Sequence, residues 1–306
     1  MSLRRIRVQG LALAAAAMST LFVATPTITI AEEVVGTPEN VGKRIAIAGR
    51  QRMLAEGMAK EICYIEAGVD TQDSLRDLYV MWNVYGWYHR GIYLGNVQLD
   101  LFAEKNERIK RMWVDVDQVW DGLATKYDLT LENEVVADGD FEQVMEVTDE
   151  LTFLNNDLVS LLGSVYAEDI NKTGHGSALL INLYERERML SQKLSKEACL
   201  IQRGYKPDET RARFVETQTN FMVSMGAFIN GMESVSVPPA PTPEIRDQLL
   251  RAQSHWDKVK DLADLVAQGG GLNREQMSLF RREMNEVVGE LTIAISMLVK
   301  FEASKA

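Results

Sequence analysis

Little in this sequence offers catalysis or a metal site. Its three histidines, His89, His175 and His255, are scattered. None completes the Glu-x-x-His spacing of a di-iron bundle, and no Cys-x-x-Cys-His run provides a haem attachment point. Met53, Met58, Met189, Met222, Met225 and Met232 recur along helical stretches, where methionine fills core gaps more readily than it gathers copper. No metal or other cofactor is expected. Glycine-rich phosphate loops and nucleophile elbows are missing as well, so the chain is not expected to be an enzyme. Basic excess is lacking: the formal net charge is −11, which removes the electrostatic footprint of a nucleic-acid partner. Strand-like alternation is absent, and after the N-terminal stretch no second hydrophobic run is long enough to span a membrane. No transmitter or kinase segment follows the last helical stretch.

What is present begins with Arg4, Arg5 and Arg7 ahead of an apolar run from Leu11 to Val23, then Thr29-Ile30-Ala31 as a small-residue cleavage site. This reads as a Sec signal peptide over residues 1–31; an uncleaved anchor is the alternative, and the twin-arginine route is the weaker reading because Arg7 stands where an apolar residue is wanted. No cysteine near the cleavage point provides for a lipid anchor. Removing the three arginines takes the net charge from −11 to −14 and places the mature chain in the periplasm.

The remainder is a tandem repeat. Arg50-Gln-Arg52-Met53-Leu54, running to Lys60-Glu61-Ile-Cys63, recurs 136 residues later as Arg186-Glu-Arg188-Met189-Leu190, running to Lys196-Glu197-Ala-Cys199. The same offset relates Gly68 to Gly204, Tyr85 to Phe221, Gly95 to Gly231 and Trp120-Asp121 to Trp256-Asp257. Apolar residues at three- and four-residue steps divide each copy into four helical stretches: 39–67, 71–97, 102–126 and 141–168, then 176–203, 208–232, 243–266 and 273–302. The last stretch of each copy has the cleanest stripe, Phe141, Val144, Leu151, Leu154, Leu158, Leu161 and Val165 against Met277, Phe280, Met284, Val287, Leu291 and Leu298. The fold class is therefore all-α, two tandem four-helix-bundle modules after a signal peptide, with modules at 32–171 and 172–306 and a stiff joint between them. Trp82, Tyr85, Trp87, Tyr88 and Tyr93 read as packing surface, denser than in the second copy.

Ala48-Gly49-Arg50-Gln51-Arg52-Met53-Leu54 resembles the opening of the N-terminal sensor domain of type IV pilus methyl-accepting chemotaxis transducers, and the related periplasmic segment of nitrate/nitrite sensor kinases. Ile181-Asn182 through Arg188-Met189-Leu190-Ser191-Gln192-Lys193-Leu194, with Phe214, Phe221, Phe228 and Gly231 after it, shows the same pattern. The resemblance implies that one arginine per copy contributes to anion binding where two such helices pair. The Arg-Met step puts that role on Arg52 and Arg188, with Arg50, Arg186 and Asn182 as further candidates. The copies differ in that Ala46 stands opposite Asn182, and Ala48-Gly49 opposite Tyr184-Glu185.

Two guanidinium groups from facing helices repel unless an anion or a carboxylate lies between them, and a small planar anion suits their forked donors. The bland alternative pairs Arg52 with Glu56 one turn on, and Arg188 with Glu185 one turn back. Cys63 and Cys199 lie eleven residues beyond the arginines, nearly the same helix face and about 16 Å along the axis. If the helices pair in parallel the cysteines face each other and a disulfide staples the modules; otherwise each is a small buried hydrophobe in its own bundle. The function that follows is a periplasmic sensor or binding protein for a small anion, acting through a membrane-bound signalling or pilus partner. The alternative is a helical scaffold of a pilus, chemosensory or envelope assembly that binds no ligand.

Overall fold

The computed structural model describes residues 38–166 and 175–304, all within one compact unit. The signal-peptide boundary at 31 and the joint between the copies lie outside the described residues. Helices α1 (Pro38–Glu66), α2 (Thr71–Leu94), α3 (Glu107–Asn133) and α4 (Asp140–Val165) make the first bundle. The second consists of α5 (His175–Gln202), α6 (Pro207–Asn230), α7 (Pro243–Asp257), α8 (Lys260–Ala267) and α9 (Arg274–Ala303). No strand occurs among the described residues, only the isolated bridges Asn96–Leu101 and Met232–Val237.

The constant offset is a property of the backbone. α1 ends at Gly68, with φ of 64°, where the Val69 N–H bonds to the Tyr64 carbonyl and the Gly68 N–H to the Ile65 carbonyl. This is the paired bonding that closes a helix on a left-handed residue. α5 ends the same way at Gly204, with Tyr205 bonding to Leu200 and Gly204 to Ile201. Gly95 and Gly231, with φ of 78° and 81°, stop α2 and α6, three residues earlier in the first copy than periodicity alone suggests. The turn after each holds a short bridge, and then Asn106 caps α3 and Thr242 caps α7 through their side-chain oxygens.

Further boundaries differ from expectation: α3 begins at Glu107, five residues later than the spacing suggests. α3 runs on to Asn133, through residues whose polarity reads as a loop, because Tyr127 and Thr130 extend the buried stripe of Ile109, Val116, Trp120 and Leu123 by two turns. Its counterpart in the second copy breaks at Lys258–Val259 into α7 and α8, although Trp256, Val259, Ala263 and Val266 keep the stripe facing inward.

Within each copy the arginine helix is central: α1 packs on α2 and α4, and α5 on α6 and α9. Tyr85, Phe214, Phe221, Phe228 and Phe280 are fully buried core residues, each costing about 3–5 kcal/mol if the ring were lost. Tyr85 stacks on Trp120 at 4.0 Å, and Tyr93 on Trp113 at 4.3 Å, so aromatics of the first copy serve packing. The most extensive helix pairing of all joins the two copies, α1 against α5.

Candidate functional site: the paired arginine helices

The seam between α1 and α5 is parallel and brings equivalent positions face to face. A Cβ placed on Gly49 would lie 3.4 Å from the Cβ of Glu185, its counterpart. Fourteen residues on, Cys63 and Cys199 are joined in a disulfide with a Cα–Cα distance of 6.2 Å. Fourteen residues are two heptads, the repeat that keeps two helices in register. Unlike an ordinary coiled coil, this seam is polar. Gly49 allows the close approach that admits Glu185 and the Arg52 guanidinium, whose Nη2 would be 3.2 Å from that added Cβ.

Arg52 and Arg188 both lie on the seam, 4% and 3% exposed. Arg52 does not take the pairing with Glu56 one turn on, whereas Arg188 does take the pairing with Glu185 one turn back. Arg52 donates from Nε to the Gly49 carbonyl at 3.1 Å, from Nη1 to Asn156 Oδ1 at 2.9 Å and from Nη2 to Asn182 Oδ1 at 2.7 Å. All three acceptors are neutral, and among the described residues no carboxylate forms an ion pair with Arg52. Arg188 instead donates from Nη1 to Glu185 Oε2 at 2.7 Å, within one turn, and its Nε has no partner. Burial pushes the Arg52 guanidinium down to about 10, opposed by the Glu185 carboxylate and reinforced by Arg186. Arg188 is lowered by burial too, again opposed by Glu185, with Arg50 adding to the shift. Glu185, 1% exposed, is thus the counter-charge for the whole cluster.

The structure separates the flanking candidates from this centre. Asn182 joins Arg52 across the seam, whereas Arg50 turns to the Tyr88 hydroxyl at 2.7 Å and Arg186 is exposed beside a cleft of the second copy. Asn156, on α4, has no signature in the sequence, because one polar residue beside Asn155 carries no spacing signal.

Beyond the arginines, two ion clusters, each built on a buried lysine, tie the copies together. Lys196 reaches across to Glu56 at 2.7 Å and to Asp149 at 3.1 Å, and Arg213 grips Asp149 at 2.8 Å. On the equivalent side Lys60 bonds to Glu61 at 2.8 Å and to Asn285, while Arg281 reaches Glu61 at 2.8 Å and Asp77 at 2.6 Å. Burial opposes the charge of both lysines. Lys196 is nonetheless held above the ordinary lysine value by Glu56 and Asp149, while Lys60, with Asn285 where Lys196 has Asp149, is lowered. Lys60 and Lys196 were visible in the sequence only as markers of the repeat.

The model of the family described as Type IV pili methyl-accepting chemotaxis transducer N-term matches residues 37–142 and again 170–279. The chain belongs to this family. Each matched segment takes in an arginine helix, the two helical stretches after it and the start of the last, so the family unit occurs twice and its two copies meet along the arginine helices. Membership gives the chain the character of a chemotaxis-transducer sensory domain. Comparison with curated protein sequences finds no match.

Proposed function

We propose that the chain is a periplasmic sensor or binding protein in which modules 32–171 and 172–306 form, within one polypeptide, the pairing of two sensor domains. It is exported by residues 1–31, performs no catalysis, and binds a small anion at Arg52 and Arg188 with Asn182 as a further donor, the role that the Arg-Met motif's resemblance to nitrate/nitrite sensor kinases implies. Arg50 and Arg186 add positive potential from the flanks. A membrane-bound signalling or pilus partner receives the signal. Among the described residues no helix is long and apolar enough to cross a membrane. The observation that carries the reading is Arg52: a guanidinium 4% exposed, held by neutral oxygens alone, with its counter-charge on a neighbour's partner. An incoming anion replaces the Asn182 and Asn156 carboxamides on Arg52 and competes with Glu185 for Arg188. The net charge of −14 does not prevent this, because screening over ~8 Å leaves the local arginines dominant.

The Arg188–Glu185 pair favours the second reading, a helical scaffold whose seam is neutralised internally. Thermal unfolding of the protein lacking residues 1–31, against nitrate, nitrite, sulfate and acetate, separates the two. A ligand at a hundred times its Kd adds about 2.7 kcal/mol, which raises Tm by roughly 5–10 °C for a chain of this size. Sulfate also stabilises proteins by exclusion from their surface, so the Arg52→Ala/Arg188→Ala variant is the control. A shift lost in that variant supports the anion site. No shift with any anion, or an equal shift in the variant, refutes it.

A further inference from the structure

On the far side of α5 from the seam, the second copy contains a cleft of about 460 Å³. Leu183, Val223, Phe228, Met232, Val237 and Pro238 form an apolar wall. Polar residues interrupt it: Arg186, Glu187 and Ser224, with Asn220 and Ser236. Glu187 is 0% exposed, and its Oε1 has no hydrogen-bond partner. Ser224 Oγ touches Glu187 Oε2 and also lies 2.6 Å from the Asn220 carbonyl; when its single proton goes to that carbonyl, the hydroxyl oxygen is left to accept from a protonated Glu187. Burial accordingly raises the Glu187 carboxyl well above the usual carboxylate range. Arg186, next in the chain, is exposed and makes no ion pair among the described residues.

The first copy explains why the cleft is open. At the equivalent positions it has Arg44 for Leu180, Trp87 for Val223, Tyr88 for Ser224 and Phe102 for Pro238. Arg44 is fully buried, bonds to the Ile92 and Phe102 carbonyls, and pairs with Glu104 at 2.9 Å. Tyr88 receives Arg50, and Gln51, the counterpart of Glu187, donates its amide N–H to the Tyr85 carbonyl at 3.3 Å while its Oε1 has no partner. In the second copy Ala240 replaces Glu104, and the whole filling is gone. A buried carboxyl has replaced an amide where large side chains have become small ones, which is the opposite of what a stability role favours.

We propose that this cleft binds a small apolar α-amino acid, with its ammonium on Glu187, its carboxylate on Arg186 and its side chain against the apolar wall. The neighbouring cation and acid match the two charges that an α-amino acid carries on adjacent groups, and the wall selects an aliphatic or aromatic side chain. Binding is proton-linked. The neutral Glu187 releases its proton to solvent as the ammonium arrives, and the resulting carboxylate pairs with it. Apart from Arg186, whose charge also reaches Arg52, the site shares no residue with the Arg52–Arg188 centre.

The test is titration calorimetry of the chain lacking residues 1–31 with L-leucine and L-phenylalanine, below neutral pH, in two buffers of different ionisation enthalpy. The expected result is one amino acid per chain, with up to one proton released. The probes 3-methylbutylamine, lacking the carboxylate, and 4-methylpentanoate, lacking the ammonium, bind at least tenfold more weakly. Glu187→Gln restores the residue that the first copy has and lowers affinity at least tenfold, abolishing the buffer dependence. Ser224→Tyr, refilling the cleft as Tyr88 does, abolishes binding, whereas Arg52→Ala/Arg188→Ala retains it. Absence of binding by both amino acids, equal binding by Glu187→Gln, or amine and acid probes binding as well as leucine would each overturn the proposal.

Discussion

Opening the Cys63–Cys199 bond is the perturbation whose size the structure fixes best. The bond closes a loop of 136 residues, so in the chain-entropy picture it removes freedom from the unfolded state worth about 5 kcal/mol. Cysteine is fully buried on both sides. At roughly 2–4 °C per kcal/mol for a chain of this size, the reduced protein or Cys63→Ala/Cys199→Ala melts about 10–20 °C lower than the oxidised protein. The reduced wild type and the double variant are compared because the alanines also leave small cavities, which the reduced thiols do not. Scanning calorimetry gives the melting temperatures, and a thiol count on denatured, unreduced protein gives the state of the bond. Two free thiols in that count, or melting unchanged by reduction, refute the reasoning.

Two further outcomes follow from the buried charges. Lys196→Met leaves Glu56, 1% exposed, without its cation and lowers stability by about 3–5 kcal/mol in a denaturant titration; a loss under 1 kcal/mol contradicts the packing described. Glu197 has a carboxyl pushed up to about 7, first by burial and despite Lys193 and Lys196. Between the unfolded value near 4.5 and 7 the folded chain binds more protons than the unfolded one, so this group's contribution falls as pH rises across that window, by about 3 kcal/mol in all. Glu197→Gln therefore flattens the pH profile of stability between pH 4.5 and 7 and is most stabilising above it; an unchanged slope contradicts the shift.

Much of the fold is legible in the sequence because each helix stop is chemical. Gly68, Gly95, Gly204 and Gly231 occupy left-handed positions that other residues rarely accept, so the repeat of glycines is the repeat of elements. α3 was harder, since Tyr127 and Thr130 keep a buried stripe through otherwise polar residues. At the arginine centre, helical periodicity places Arg52 and Arg188 on one stripe with the cysteines, but not their partners. Asn156 reaches Arg52 from another helix, and Lys196 finds Glu56 across the seam, contacts set by how helices pack rather than by spacing along one of them. The cleft depends on differences between aligned copies. Its one sequence signal is the excess of aromatics in the first copy, whose Trp87 and Tyr88 fill what Val223 and Ser224 leave open.

The central claim is that one polypeptide builds a single anion site from the arginine helices of both copies, neutralised in the unliganded chain by Glu185. Titration calorimetry of Glu185→Ala with acetate, a carboxylate free to take the missing side chain's place, tests this most directly. The account predicts one acetate bound per chain, at a stoichiometry independent of protein concentration, and no binding once Arg52 and Arg188 are also alanine. Two acetates per chain, one per two chains, or binding that survives loss of both arginines would contradict it.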